Sequence, residues 1–212
     1  MKSKPGQDSK GDVMLVHARL SASSVNGPGR RAVLFVQGCR LDCKGCWNPR
    51  THALAGENWG AEELARWIVH CREGSGISGL TFSGGEPMHQ SPELVTLAQK
   101  VRAAMPELSF GMFSGYSERE LDEGSYWTLA ETDADLRRSV WQELRRHLDF
   151  AVLGRYNDQQ PTADPLRTSR NQVLRLYSPR YSEADFGPPE VEVTIESDLI
   201  SITGFPLAGL PA

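Results

Sequence analysis

Long apolar runs are missing from this 212-residue sequence, and none of its segments approaches the roughly 20 residues that a membrane-spanning helix needs. A positive charge excess is missing too, because the formal net charge is -4. The first residues, MKSKPGQDSKGD, contain lysines but are not followed by the apolar segment of a signal peptide. We therefore expect residues 1–12 to be a disordered N-terminal tail, and the protein to be cytoplasmic without a nucleic-acid or membrane partner.

Basic residues are also absent from the end of the chain. After Arg180 the sequence contains no Lys or Arg, although acidic residues continue to occur. These acidic residues are Glu183, Asp185, Glu190, Glu192, Glu196 and Asp198. This charge pattern favours exposure to solvent or contact with a basic partner surface over contact with DNA.

Cysteine is scarce, but three of the four cysteines lie within eight residues at C-x3-C-x2-C spacing: Cys39, Cys43 and Cys46. In a reducing compartment, clustered thiols indicate metal ligands or catalytic groups. Three are too few for a closed structural zinc site or a closed iron–sulfur cluster. The loop therefore predicts an open [4Fe–4S] site with one free iron. The alternatives are a Cys3His zinc site completed by His52 or a distant histidine, or no metal; Cys71 falls on the apolar stripe of a predicted helix.

Strands and helices alternate through the middle of the chain. Apolar segments predict strands at 13–20, 32–37, 79–83, 108–116 and 149–156, and helical periodicity is found at 61–72, from Ser91 onward, and over much of 117–148. Residues 190–205 alternate apolar and polar side chains around a break at 196–198, which predicts a hairpin. The pattern is typical of an α/β fold with a mostly parallel sheet.

Three motifs follow predicted parallel strands: the cysteine loop, SGGEP after 79–82, and SGY after 108–113. Because ligands gather at the carboxyl ends of parallel strands, we expect the three to share one site. Gly84 and Gly85 allow close backbone approach, and Glu86 adds a carboxylate, which together suit an amino-acid-like ligand. A plain strand-to-helix turn is the alternative. A phosphate site is less favoured, because the segment has no Lys and no P-loop pattern.

The cysteine motif followed by Gly-Gly-Glu-Pro resembles the radical S-adenosylmethionine (SAM) superfamily. The stretches VNGPGRRAVLFVQGCRLDCKGCWNPRTH, LTFSGGEP, FSGY, DFAVLGRY, SRNQ and ITGF are most similar to the small anaerobic ribonucleotide reductase activating proteins. The resemblance spans roughly residues 13–205. It implies a partial (β/α) barrel, and a single radical SAM domain over 13–212 with the hairpin at its end.

The resemblance also implies cofactors and their contacts. One [4Fe–4S] cluster would be held by Cys39, Cys43 and Cys46, and SAM would bind the free iron. Further cofactor contacts are implied for Gly45, Cys46, Trp47, Gly84, Gly85, Glu86 and Ser114. No catalytic side chain is expected beyond the cluster and SAM, since the cofactor carries the hard chemistry.

The implied reaction is reductive cleavage of SAM to a 5′-deoxyadenosyl radical, which takes a hydrogen atom from a glycine of a partner glycyl-radical enzyme. A reduced flavodoxin or ferredoxin-like protein would supply the electron. Two alternatives remain: a stand-alone radical SAM enzyme that modifies a peptide or small molecule, and a non-catalytic zinc adaptor. The sequence leaves open the partner's identity, the oligomeric state, and the role of Arg167, Arg170, Asn171 and Gln172, for which a loop anchor is favoured.

Overall fold

Four parallel strands form the centre of the sheet in the computed structural model, which describes residues 13–188, 190–196 and 199–205. The predicted N-terminal tail at 1–12 lies outside these residues. The main-sheet strands are β1 (Val13–Ser23), β2 (Arg31–Val36), β3 (Glu57–Gly60), β4 (Gly79–Gly84), β5 (Ser109–Ser114), β6 (Phe150–Leu153) and β7 (Val173–Leu176). The helices are α1 (Ala61–Ser75), α2 (Ser91–Ala104), α3 (Glu118–Asp122) and α4 (Ala134–His147). A separate pair, β8 (Val191–Glu196) and β9 (Leu199–Gly204), follows.

The seven strands lie in the order β3-β1-β2-β4-β5-β6-β7. β2, β4, β5 and β6 pair in parallel, whereas β1, β3 and β7 join antiparallel at the two sides. The prediction of an α/β fold with a largely parallel central sheet is confirmed, and so is the C-terminal hairpin, in which Val191–Glu196 pairs with Leu199–Gly204. The order of the strands brings the carboxyl ends of β2, β4 and β5 together at one edge.

Two apolar clusters cover the faces of the sheet. The larger one packs α1, α2 and α4 against β2, β4 and β5. The smaller one consists of Phe150, Val152, Leu166, Phe186 and Phe205. Central strands with both faces covered are expected to be near-continuous apolar runs, as AVLFV in β2 is. No helix in the described part of the chain is long and apolar enough to cross a membrane.

The segment 117–148 is mostly helical, as predicted, but its helices are separated by a non-helical stretch. α3 stops at Asp122 and α4 begins at Ala134. Gly124 has φ +67°, a left-handed conformation that interrupts a helix. Asp133 then caps α4 by accepting a hydrogen bond from the Leu136 N–H. β3 and β7 were not predicted, because ENWG and VLRL are four-residue strands with little period-two pattern.

Candidate functional site

The three motifs that follow parallel strands meet at one edge of the sheet. β2, β4 and β5 end at Val36, Gly84 and Ser114. Two backbone hydrogen bonds join the first two motifs: Gly85 N–H donates to Val36 O, and Glu86 N–H donates to Gly38 O, both at 2.9 Å. The Glu86 carboxylate joins the third motif through Ser114 and Gly115. The structure thus brings together the segments that carry every predicted site residue.

The cysteine loop leaves β2 through Gly38, which has φ +103°. Cys39, Cys43 and Cys46 are all partly exposed, whereas Cys71 is buried in α1 as the apolar stripe predicted. Backbone bonds shape the loop: Cys39 N–H donates to His52 O, and Cys46 N–H donates to Cys43 O. The three thiols therefore lie on a short, accessible turn, and the fourth stays in the core.

Burial disfavours the thiolate form of Cys39 and Cys43. It raises the pKa of Cys39 to about 11 and also raises the pKa of Cys43. Since thiolates are the species that bind metal, binding would release their protons. In the described part of the chain, no three His, Cys, Asp or Glu side chains converge as ligands of a single ion would. A [4Fe–4S] cube binds each cysteine through a different iron and does not require such convergence.

The loop after β6 packs against the cysteine loop. This contact was not predicted from the sequence. Lys44 Nζ lies 3.5 Å from Asp158 Oδ2. The ring of Trp47 is 5.9 Å from that of Tyr156, and Trp47 also packs against the smaller apolar cluster. A Cβ at Gly45, which has φ +70°, would lie 3.6 Å from both Tyr156 and Asp158. Gly45 and Trp47 are therefore in place beside Cys46, and their partners come from the end of β6.

Gly84 and Gly85 are required for backbone packing between neighbouring strands. Gly84 has φ +103°, and a Cβ there would lie 2.5 Å from Val36 N. A Cβ at Gly85 would lie 2.4 Å from Gly38 O. Real Cβ atoms do not approach backbone so closely. The paired glycines thus lock the end of β4 onto the start of the cysteine loop.

Glu86 is a buried carboxylate held by three donors. Its Oε1 accepts from Met88 N–H and Ser114 Oγ–H, and its Oε2 accepts from Gly115 N–H at 2.7 Å. Glu86 is 1% exposed, and burial raises its pKa to about 7 even though these donors oppose the shift. Among the described residues, no Lys, Arg or His nitrogen lies within ion-pair distance of it. The site therefore holds a carboxyl group that is about half ionised near pH 7, and a small cation beside it would favour the ionised form.

His89 is a further buried residue beside this site. Its Nε2 lies 3.0 Å from the Tyr116 hydroxyl, and its ring meets Trp127 edge-on at 4.8 Å. The guanidinium of Arg40, in the cysteine loop, also stacks on Trp127, 4.1 Å from the centre of its ring. Burial lowers the pKa of His89 to about 4, so it stays neutral near pH 7. These contacts hold Arg40, and with it the start of the cysteine loop, against Trp127, which itself packs against His89.

The polar segment after Leu166 anchors the end of β6. Gln172 Nε2 donates to Gly154 O, while its Oε1 accepts from Thr168 and Ser169. Asn171 Nδ2 donates to Arg155 O. Arg170 bonds Pro161 O, and Arg167 pairs with Asp164. These contacts match the favoured prediction of a loop anchor.

Comparison with known proteins gives three findings. The family described as "4Fe-4S single cluster domain" matches residues 25–175. The chain is 31% identical to the anaerobic ribonucleoside-triphosphate reductase-activating protein of Vibrio cholerae, over 78% of this chain and 99% of the relative. It is also 31% identical to the protein of that name from Enterobacteria phage T4, over 71% and 86%. Among solved structures, QueE from Escherichia coli aligns at 16% identity with a TM-score of 0.38, over 49% of this chain and 53% of that one.

Proposed function

This chain belongs to the family of anaerobic ribonucleoside-triphosphate reductase-activating proteins, and we propose that it is a radical SAM activase for such a reductase. It would generate a 5′-deoxyadenosyl radical and take a hydrogen atom from a backbone glycine of the partner. One observation carries the proposal. In a chain of this family, an accessible three-cysteine loop packs against Gly84 and Gly85, next to the buried carboxylate of Glu86, which has no cation within ion-pair distance among the described residues. We further propose that residues 13–212 work as one domain built on a partial (β/α) barrel.

Cys39, Cys43 and Cys46 are the residues proposed to hold the cluster. Their thiols are partly exposed on one turn, and thiolates are the ligands that iron–sulfur clusters take. A fourth cysteine is not available there, because Cys71 is buried in α1. When bound, the cluster supplies the electron that cleaves the sulfonium of SAM, after its own reduction by a flavodoxin or ferredoxin-like donor.

SAM is proposed to sit between the cysteine loop and the ends of β4 and β5. Glu86 suits the ammonium of its methionyl end, because a cation nearby would lower the raised pKa of this carboxylate and offset its burial. Ser114 orients Glu86 by donating to its Oε1 at 2.8 Å. Gly84 and Gly85 act through their backbone, since neither position has space for a side chain. Gly45, Cys46 and Trp47 would line the adenosyl end.

Anaerobic reconstitution tests the cofactor assignment. The wild-type protein should turn brown, bind about four irons per chain, and cleave SAM when reduced. Cys43→Ala should lose cluster assembly and SAM cleavage, whereas Cys71→Ala should keep both. A colourless protein that binds one zinc tightly would contradict the proposal and favour the zinc adaptor.

The partner assignment needs a separate measurement. Electron paramagnetic resonance should detect a glycyl radical only when the anaerobic reductase, reductant and SAM are all present. SAM cleavage without any radical on the reductase would instead favour a stand-alone radical SAM enzyme.

A further inference from the structure

The C-terminal hairpin directs polar side chains toward the body of the protein and apolar side chains toward solvent. Register pairs Glu192 with Thr203 and Val193 with Ile202, and such cross-strand partners share a face. The polar pair faces inward: Glu192 Oε2 accepts from Ser24 N–H, and Thr203 Oγ1 accepts from Asn26 Nδ2–H. The apolar pair faces outward, with Val193 55% and Ile202 70% exposed.

This inversion is more than the scattered exposure of single apolar residues, which is ordinary on protein surfaces. Val191 lies on the same outward face as Val193 and is also exposed. β8 and β9 form a sheet of only two strands, which is marginally stable alone in water. An apolar face directed at solvent on such a hairpin is typical of a surface that a partner covers.

Charge indicates what kind of partner fits. Glu183, Asp185 and Glu190 are exposed in the segment that leads into the hairpin, and no Lys or Arg follows Arg180. A second copy docked by the same face would bring these carboxylates against each other. An anionic membrane surface would be repelled for the same reason. The fitting partner has an apolar patch bordered by Lys or Arg.

We infer that the outward face of Val191, Val193 and Ile202 is the docking surface for the reductase, with the carboxylates of the preceding segment steering a basic patch of that partner. This inference rests on the proposed function, which supplies a large protein as the substrate. The hairpin hydrogen-bonds Ser24 and Asn26, which precede the start of β2, whereas the cysteine loop follows the other end of that strand. The surface therefore adds affinity without occupying the cofactor site.

The experiment measures the Kd between the cluster-loaded activase and the anaerobic reductase of the same organism. Val193→Thr with Ile202→Thr keeps β propensity but removes the apolar face, and should weaken binding by about tenfold or more. Leu136→Gln, on α4, removes an exposed apolar side chain elsewhere and should leave the Kd unchanged. SAM cleavage without reductase should be equal in all three proteins.

A second arm tests the charges. The association rate of the wild type should fall as salt rises, and Glu183→Gln with Glu190→Gln should flatten that dependence. Equal Kd values for wild type and the Val193/Ile202 variant would overturn the inference while the glycyl-radical assay still supports the activase. The inference would also fail if that variant altered self-association, seen by sedimentation, but not reductase binding. A wild type that forms no glycyl radical in the reductase would overturn the proposed function, and the inference with it.

Discussion

Arg31 and Glu86 are both buried charges, yet they lie at opposite ends of the same parallel strands. Arg31 opens β2 and is 0% exposed, while Glu86 follows β4 and is 1% exposed. All five N–H groups of Arg31 have acceptors, on Pro28, Leu80, Thr81 and Ser109. Glu86 has three donors, but among the described residues no cation lies within ion-pair distance of it. One end of the sheet is thus internally satisfied, whereas the other is left to be completed by a ligand.

The difference shows how burial can serve either stability or binding. Burial lowers the pKa of Arg31 to about 10, but Arg31 keeps its charge at neutral pH because carbonyl and hydroxyl oxygens replace water around the whole guanidinium. Its contacts reach the starts of β4 and β5 and so align three strands. Glu86 is oriented by three donors, but burial outweighs them and raises its pKa to about 7. The fold tolerates that cost at the edge where the cysteine loop lies.

Arg31→Met gives the largest expected loss of stability. The substitution leaves buried oxygens of Leu80, Thr81 and Ser109 without their donor, and it should lower the free energy of unfolding by more than about 3 kcal/mol. Urea titration followed by circular dichroism measures this. Arg30→Met, at the exposed neighbouring position, is the control and should change stability by less than about 0.5 kcal/mol. Similar values for both variants would show that the hydrogen bonds of Arg31 do not contribute measurably to the free energy of unfolding.

Glu86→Gln tests the opposite end through pH. Because the folded pKa of Glu86, about 7, lies above its ordinary value of 4.5, the folded state binds the proton more tightly than the unfolded state. Wild-type stability should therefore fall as pH rises from about 4.5 to 7, by on the order of 3 kcal/mol from this group. The Gln variant cannot titrate and should lack that part of the pH dependence.

The measurement compares urea unfolding of both cluster-free, reduced proteins between pH 4.5 and 7.5. The difference in stability between wild type and variant should shift in favour of the variant as pH rises. Parallel pH profiles would mean that burial does not disfavour the ionised form of Glu86. The contrast with Arg31 would then disappear. Added SAM should protect the cluster-loaded wild type more than the variant, since an amide does not complement an ammonium.

Much of this contrast follows from the sequence. Parallel strands predict a shared edge, so the grouping of the cysteine loop, Glu86 and Ser114 could be expected. The contact of Tyr156 and Asp158 with the cysteine loop could not be expected, because it depends on how the loop after β6 packs against Gly45. The role of Gly84 and Gly85 was also predicted only in part. The paired glycines in the sequence indicate that another group approaches their backbone closely. The structure identifies that group as the backbone of Val36 and Gly38.

Gly85→Ala separates packing from ligand contact. The new methyl group would meet Gly38 O, and the overpacking should lower the free energy of unfolding by about 2 kcal/mol. Gly74→Ala is the matched control: it lies in α1 with nothing within 4 Å of the new Cβ, and it should stabilise the protein by up to about 1 kcal/mol. If Gly85→Ala unfolded like wild type but bound SAM poorly, the glycine would serve the ligand and not the packing.

Asp158→Asn gives the smallest expected effect, although Asp158 pairs with Lys44 of the cysteine loop. Lys44 is 84% exposed, and pairs of this kind are screened by water and salt. The midpoint of thermal unfolding should not change measurably, at low or high salt. Trp47 and Tyr156 would still hold the two loops together through their rings. A clear loss of stability confined to low salt would show that this exposed charge pair supports the end of the sheet where the cysteine loop lies.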